Sequence, residues 1–239
     1  MKLKLATLLT CLAFSPVAYG QLININYLQF TGGTQSPVSE AELFGPPGGA
    51  NTSWNQYADE DTSGTVVDST GASTTVQVLT DFSEGRGGSS SDLGVFRGSL
   101  TDFGRGETRN VDISGLAADG LYDIWIMAYR DNGTARERLG GYWTANNTTA
   151  SATTQLLSSY NTRNGTTFEE GVNYIVFEDV VADGAGTISF TGVGGKSTDP
   201  DFNDDVRLGL SALQIQAVPE ASTFALIGLA GLALIRRRR

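Results

Sequence analysis

The chain has 239 residues, of which 16 are basic and 26 acidic, so its formal net charge is −10, and it contains no histidine. An acidic surface repels nucleic acid and anionic lipid, and neither is an expected partner. The absence of histidine excludes imidazole catalysis and histidine-ligated zinc. An enzyme built on this chain would depend on carboxylates, a Ser/Lys pair, tyrosine or a hard metal ion.

The first 20 residues have the pattern of a secretory signal peptide. Two lysines precede an apolar stretch from Leu5 to Phe14, and the small residues Ala18 and Gly20 predict cleavage after residue 20. The only cysteine, Cys11, lies inside this segment. The exported chain therefore has no disulfide and no cysteine nucleophile. A lipoprotein signal at Cys11 is a weaker interpretation, because the apolar stretch continues past it.

Residues 21–217 form one predicted domain whose sequence is typical of an all-β fold. Short apolar or alternating segments recur between turns rich in Gly, Asn and Asp, and no long segment has a helical period. The predicted strands are 22–30, 65–67, 74–82, 94–96, 109–113, 121–129, 139–144, 172–181, 186–191 and 207–216. Eight to ten short strands predict a two-sheet antiparallel β-sandwich of the jelly-roll type. A parallel β-helix is the alternative, but no fixed repeat supports it.

Two sequence features predict how these strands pair. The segment 121–129 is apolar on both faces, which predicts a central strand, and 139–144 is its predicted partner. The pairs Asn132-Gly133 and Asp183-Gly184 each lie between strand patterns, and such dipeptides favour tight hairpins.

Four aromatic residues are candidates for a sugar-binding platform. Trp54, Tyr57, Tyr142 and Trp143 have polar neighbours in the sequence, and aromatic faces suit the CH groups of a sugar ring. The alternative is that these side chains fill the core of the sandwich.

The segment 199–205 is a candidate calcium site. Asp199, Asp201, Asn203 and Asp205 alternate along the chain, a spacing that lets a loop wrap a Ca²⁺ ion. The glycine and distal glutamate of an EF-hand loop are missing, so the expected ion is structural. The alternative is a solvated acidic loop before the last strand, and no other cofactor is expected.

The segment 218–239 combines three features of a sorting tail. A polar motif is followed by an apolar run from Phe224 to Ile235 and by a basic cluster. The motif consists of Val218, Pro219, Glu220, Ala221 and Ser222, and the basic cluster of Arg236, Arg237, Arg238 and Arg239. As a helix the apolar run would span about 18 Å, short of the roughly 30 Å hydrocarbon core, so it is marginal as a permanent anchor. Cytoplasmic arginines would orient the domain outward.

This tail closely resembles the PEP-CTERM sorting signal, in which a Pro-Glu-Pro-like motif precedes a transmembrane segment and an arginine cluster. Ala221 stands here at the third motif position. The resemblance implies recognition by an exosortase-like transpeptidase, cleavage near Pro219 and Glu220, and only transient anchoring in the inner membrane. It further implies delivery to the cell surface or extracellular matrix of an exopolysaccharide-producing Gram-negative bacterium. An uncut membrane anchor is the alternative.

The order of segments in the domain also resembles the jelly-roll domains of many PEP-CTERM proteins, which look like galactose-binding carbohydrate modules. The segments that carry this resemblance are 23–27, 111–116, 120–124, 174–177, 186–190 and 210–215. Folds of this kind host many activities. The sequence thus predicts a non-enzymatic structural or carbohydrate-binding component of an exopolysaccharide matrix. A carbohydrate-active hydrolase that uses carboxylates is the alternative.

Overall fold

Two five-stranded sheets face each other in this protein and form a β-sandwich, which confirms the predicted fold class. The structure is a computed structural model. It describes residues 21–31, 34–48, 52–57, 66–82, 84–87, 92–101, 105–130, 139–146, 153–158 and 165–219. The predicted signal peptide, the Asn132-Gly133 hairpin and the apolar and basic parts of the tail lie outside these residues.

The first sheet, called sheet 1, has both terminal strands near its centre. Its strands in spatial order are Tyr174–Val181 (β12), Leu121–Met127 (β9), Ala212–Ala217 (β15), Leu22–Tyr27 (β1) and Asn55–Tyr57 (β4). All neighbours are antiparallel except β1 and β4, which are parallel.

The second sheet, called sheet 2, is antiparallel throughout. Its strands in spatial order are Thr153–Leu157 (β11), Gly141–Ala145 (β10), Ile188–Gly194 (β13), Thr108–Ser114 (β8) and Gln77–Thr80 (β5). Smaller elements complete the described fold: Gln29–Thr31 (β2), Thr34–Ser36 (β3), Glu84–Gly87 (β6), Gly98–Thr101 (β7), Gly209–Leu210 (β14), and 3₁₀ turns at Glu40–Glu42 and Gly94–Phe96.

The main core lies between the two sheets. Ile25 and Ile124 of sheet 1 and Val111 and Phe190 of sheet 2 are fully buried in one continuous cluster. Alternate residues of each strand supply this cluster, because successive side chains of a strand point to opposite faces. Burial of this apolar surface is the main stabilising contribution to the sandwich.

Part of the outer face of sheet 1 is buried as well. Val38, Leu43, Trp54 and Phe96 belong to a second apolar cluster that includes Met127 of β9. The loops that carry these residues cover the outer side of sheet 1. In β9, Ile124 and Ile126 are buried in the main core and Trp125 is half-buried against this outer layer, which explains why the strand carries apolar residues on both faces.

The predicted partner of β9 is wrong. The segment 139–144 corresponds to β10, which lies in sheet 2 between β11 and β13. In β10, buried Gly141, Trp143 and Ala145 alternate with half-exposed Tyr142 and Thr144. This one-sided pattern fits a sheet with one solvated face and does not fit sheet 1.

The predicted hairpin at Asp183-Gly184 is also wrong, although the turn itself is present. It joins β12 of sheet 1 to β13 of sheet 2 and therefore crosses between the sheets. Asp183 Oδ1 accepts the backbone N–H groups of Ala185 at 2.9 Å and Thr187 at 2.8 Å. Turn residues specify a reversal of the chain but not the sheet that the next strand joins.

Other predicted segments are shorter or divided. The segment 22–30 separates into β1 and β2, and 207–216 separates into β14 and β15 around Ser211. The segment 94–96 is a 3₁₀ turn, and Val67 makes only an isolated bridge with Ser73. No helix within the described part of the chain is long and apolar enough to cross a membrane.

Candidate functional site

The outer face of sheet 2 is accessible to solvent, in contrast to that of sheet 1. Its strands alternate between buried side chains that face the core and exposed or half-exposed side chains that face outward. We call this surface the open face. It consists of Leu79, Asp81, Thr108, Asn110, Asp112, Tyr142, Thr144, Asn146, Thr154, Leu156, Ser189, Thr191 and Val193.

A ladder of hydrogen-bonded side chains crosses the open face. Asn146 Nδ2 donates to Thr191 Oγ1 at 2.7 Å, and Thr191 Oγ1 donates to Asn110 Oδ1 at 3.1 Å. Asn110 Nδ2 then donates to Asp81 Oδ2 at 2.8 Å. These residues lie on or directly after β10, β13, β8 and β5, so the ladder connects four adjacent strands.

Two further pairs extend this polar surface. The hydroxyl groups of Thr144 and Thr154 are 2.9 Å apart and join β10 to the edge strand β11. Ser189 Oγ donates to Asp112 Oδ1 at 2.6 Å between β13 and β8. The open face thus presents hydroxyl, amide and carboxylate groups whose positions are fixed by one another.

An open concavity lies at the β5 edge of this face. It has a volume of about 280 Å³ and is lined by Leu79, Thr80, Asp81, Asn110 and Asp112. The side chain of Leu79 is 47% exposed, and it is the one large apolar side chain among the described residues that is exposed. The concavity therefore combines an apolar contact with two carboxylates and an amide.

Tyr142 lies on the opposite side of the open face. Its ring meets that of Phe202 edge to face, with centroids 5.8 Å apart, and its hydroxyl donates to Asp201 Oδ2 at 2.9 Å. Burial, together with the hydrogen bond and the charge of Asp201, raises the pKa of Tyr142 to about 12. The phenol is therefore neutral and held in one orientation.

The predicted aromatic platform is wrong, because its four members do not converge. Trp143 is fully buried in the core against Phe82, and Trp54 belongs to the layer that covers sheet 1. Tyr57 lies on β4, where burial raises its pKa. Only Tyr142 reaches the open face, since consecutive residues of a strand point to opposite sides.

The acidic segment forms a loop before β14. Asp199 Oδ2 accepts a backbone N–H from within the loop at 3.1 Å, and Asp201 accepts the tyrosine hydroxyl described above. Asp205 Oδ1 accepts the N–H of Ser197 at 2.7 Å, and hydrogen bonds from Ser197 lower the pKa of Asp205. Asn203 lies in the same loop.

No group of three or more potential ligands among His, Cys, Asp and Glu is clustered in the described residues. Calcium binding stays a prediction.

The polar residues of the open face were not predicted from the sequence. Asp81, Asn110, Asp112 and Thr191 are ordinary strand or turn residues when each is considered alone. The available signal was the alternation of each strand, which places polar side chains on one side. Knowledge that β5, β8, β13 and β10 are neighbours was also required, and local patterns do not supply it.

The C-terminal segment has a recognisable relationship to known proteins. Residues 217–239 match the PEP-CTERM protein-sorting motif, which confirms the prediction made for the tail. The chain is accordingly an exported protein that carries an exosortase sorting signal with a C-terminal membrane-anchor motif. Among curated proteins, none matches the sequence of this chain.

Two plant structures are similar to the sandwich. The crystal structure of the ANXUR1 extracellular domain from Arabidopsis thaliana gives a TM-score of 0.46 at 10% identity, over 83% of this chain and 48% of that chain. The crystal structure of the plant peptide RALF23 in complex with FER and LLG2 gives 0.40 at 11% identity, over 84% of this chain and 40% of that one. This chain spans less than half the length of either, and at these scores the likeness carries no functional argument.

Proposed function

We propose that this exported protein is a non-enzymatic component of an extracellular polysaccharide matrix and binds a polysaccharide chain across the open face. The supporting observation is the side-chain ladder that crosses four strands of a sheet whose outer face, among the described residues, is covered by Phe202 and Val206 beside Tyr142 and Leu156 and is solvent-accessible along the ladder. Sugars present closely spaced hydroxyl groups that both donate and accept hydrogen bonds. Thr, Ser, Asn and Asp side chains on the open face offer the matching donors and acceptors.

The fixed geometry of the ladder favours binding. Thr191 and Asn110 already hold each other in one orientation, so little side-chain entropy is lost when a ligand binds. Leu79 and Tyr142 flank the ladder on β5 and β10 and offer apolar contacts for CH groups of a sugar. Three strand spacings separate these strands, or about 14 Å at about 4.8 Å each. This separation favours a chain of sugars over a single sugar.

The charge of the open face selects among polysaccharides. Asp81 and Asp112 are its only charged members, and both line the concavity. Two carboxylates with no cation among the described residues of the same face repel a polyuronate and attract an amino group. The proposed ligand is therefore a neutral polysaccharide or one that contains free amino sugars.

Binding of the exported protein to an array of neutral, amino and uronate glycans tests the proposal. Thr191→Val removes the hydroxyl that makes two bonds of the ladder and keeps the side-chain shape. We expect about tenfold weaker binding to a neutral or amino glycan, the loss that ~1.4 kcal/mol of hydrogen bonding produces. Glu178→Gln, an exposed position on β12 of sheet 1, is the matched control. Uniformly negative arrays, or equal binding by Thr191→Val and the wild type, would contradict the proposal.

The alternative function, a carbohydrate-active hydrolase, is favoured by one observation. Asp81 and Asp112 line the same concavity, and paired carboxylates are the catalytic groups of most glycosidases. Incubation with each bound polysaccharide, followed by a reducing-end assay, distinguishes the two functions. We expect no new reducing ends. Release of sugars that is abolished by Asp112→Asn would replace the binding function with a hydrolase.

A further inference from the structure

The two ends of the described domain lie side by side. The strands β1 and β15 are antiparallel neighbours, with Leu22 opposite Gln216. The N–H of Ala217 donates to the carbonyl of Gln21 at 3.3 Å. The residue that follows the predicted signal-peptide cleavage site and the residue at which the matched sorting segment begins are thus hydrogen-bonded to each other.

The sorting motif begins inside the folded sheet. The match to the PEP-CTERM motif starts at Ala217, which is the last residue of β15. Val218 is also attached, because its N–H donates to the carbonyl of Leu121 at 2.9 Å. Pro219 is the first exposed residue after the strand. No spacer separates the sandwich from the Pro-Glu motif.

The strand end can open over only a few residues. Gln216, Ala217 and Val218 are half-buried, but the side chain of Ile215 is 1% exposed and belongs to the main core. Fraying of terminal residues is common, whereas removal of a core side chain disrupts packing. β15 is also paired on both sides, with β1 and β9, so wider opening dismantles sheet 1.

We propose that folding closes the sorting site, so that the exosortase-like enzyme acts on chains in which β15 is not yet fully docked and the completed sandwich resists cleavage. This inference rests on the sorting function and is independent of glycan binding.

In cleavage, the enzyme's nucleophile takes the acyl group of the domain and the tail amine leaves with a proton. An acceptor amine or water then takes the acyl group. Enzyme pockets that read an extended peptide need backbone on both sides of the scissile bond, and docked β15 withholds that backbone.

The test uses the full chain in its host, with synthesis of the processing enzyme under inducible control. Precursor accumulates and folds first, and enzyme synthesis is started afterwards. A variant with a six-residue Gly/Ser insertion between Val218 and Pro219 gives the enzyme a free substrate strand. We expect this spacer variant to be cut about tenfold faster than the wild-type precursor, as measured by the decay of the precursor mass.

A disulfide that holds β15 against β1 tests the same inference by preventing the strand end from opening. Leu22→Cys/Gln216→Cys joins directly opposed residues, a geometry that suits a disulfide in an exported chain. This lock should slow cleavage of the folded precursor about fivefold or more by suppressing fraying, and the spacer should relieve the effect. Gln77→Cys/Ser114→Cys, an opposed pair in sheet 2 outside the residues named for the open face, is the matched control and should leave the cleavage rate unchanged.

Two results would overturn the inference. Equal cleavage rates for the wild-type and spacer precursors would show that the folded sandwich does not protect the motif, and so would an unchanged rate in the Leu22/Gln216 lock. If chains made in the presence of the enzyme are never cut, the spacer variant included, the sorting account itself fails. Equal cleavage rates or an unchanged rate in the lock would leave the sorting function intact. Failure of this inference is therefore distinguishable from failure of the sorting function.

Discussion

Asn24 and Asn26 lie on the same face of β1, and both side chains are fully buried beneath the loops that cover sheet 1. Asn24 Nδ2 donates to Thr52 Oγ1 and to the carbonyl of Ser53, each at 3.1 Å, and Asn24 Oδ1 accepts from Gln214 Nε2 at 2.8 Å. The amide of Asn26 has no partner among the described residues. A buried polar group stabilises a fold only when it is hydrogen-bonded.

These two positions therefore respond differently to the same substitution. Asn24→Leu removes one of the two acceptors of Gln214 Nε2 and the donor to Thr52 and Ser53, and it should lower the free energy of unfolding by about 1–3 kcal/mol. Asn26→Leu removes an unpaired amide and should be neutral or stabilising. Urea unfolding of the exported protein measures both. A larger loss for Asn26→Leu than for Asn24→Leu would contradict the hydrogen bonding described for β1.

The phenol of Tyr142 couples stability to pH. Its pKa is raised from the usual 10.0 to about 12. Below pH 10 the phenol is neutral in both the folded and the unfolded protein. Between pH 10 and about 12 the unfolded protein loses the proton while the folded protein keeps it. The free energy of unfolding therefore falls as the pH rises through this range. Tyr142→Phe should make this fall shallower, as measured by urea unfolding over that pH range. An unchanged slope would contradict the raised pKa of Tyr142.

At the scale of elements, the turn from β12 to β13 depends on one glycine. Gly186 has a φ of +73°, and a Cβ atom there would lie 2.2 Å from the carbonyl oxygen of Leu116. Gly186→Ala should therefore destabilise the protein by about 1–3 kcal/mol. Gly184→Ala in the same turn is the control, since a Cβ there meets nothing within 4 Å. Equal thermal stability of the two variants would argue against this turn geometry.

The strands that the sequence predicted best are those with a clear alternating or apolar pattern, such as β8, β9 and β13. Their sheet membership was not predictable, because alternation reports burial and not the identity of a neighbour. For this reason β10 was assigned to the wrong partner. Strand β7, Gly98–Thr101, was missed because its glycine, serine and threonine lack an apolar pattern. The open face could not be predicted either, because its residues come together only when the neighbouring strands are known.

The two proposed roles of the molecule, glycan binding and connection to the sorting segment, fall on different sheets. Sheet 1 holds the first and last strands, β1 and β15, which are buried on both faces, so it connects the domain to the processed segments. Sheet 2 presents the open face, part of which, at Tyr142 and Leu156, packs against Phe202 and Val206. The proposed binding surface therefore lies on the outer side of sheet 2, whereas the sorting motif begins at the end of a strand of sheet 1. A domain released at Pro219 retains the whole of this surface.

The central claim is that this sandwich is exported and its sorting tail is then removed. Tryptic peptide mass analysis of the protein from the host's cell surface and medium tests it directly. Arg207 is the last basic residue before Arg236, so trypsin releases the chain end as one peptide that starts at Leu208. We predict a peptide that ends near Pro219 and Glu220. A surface protein whose peptide continues from Leu208 through Phe224 to Arg236 would contradict the claim.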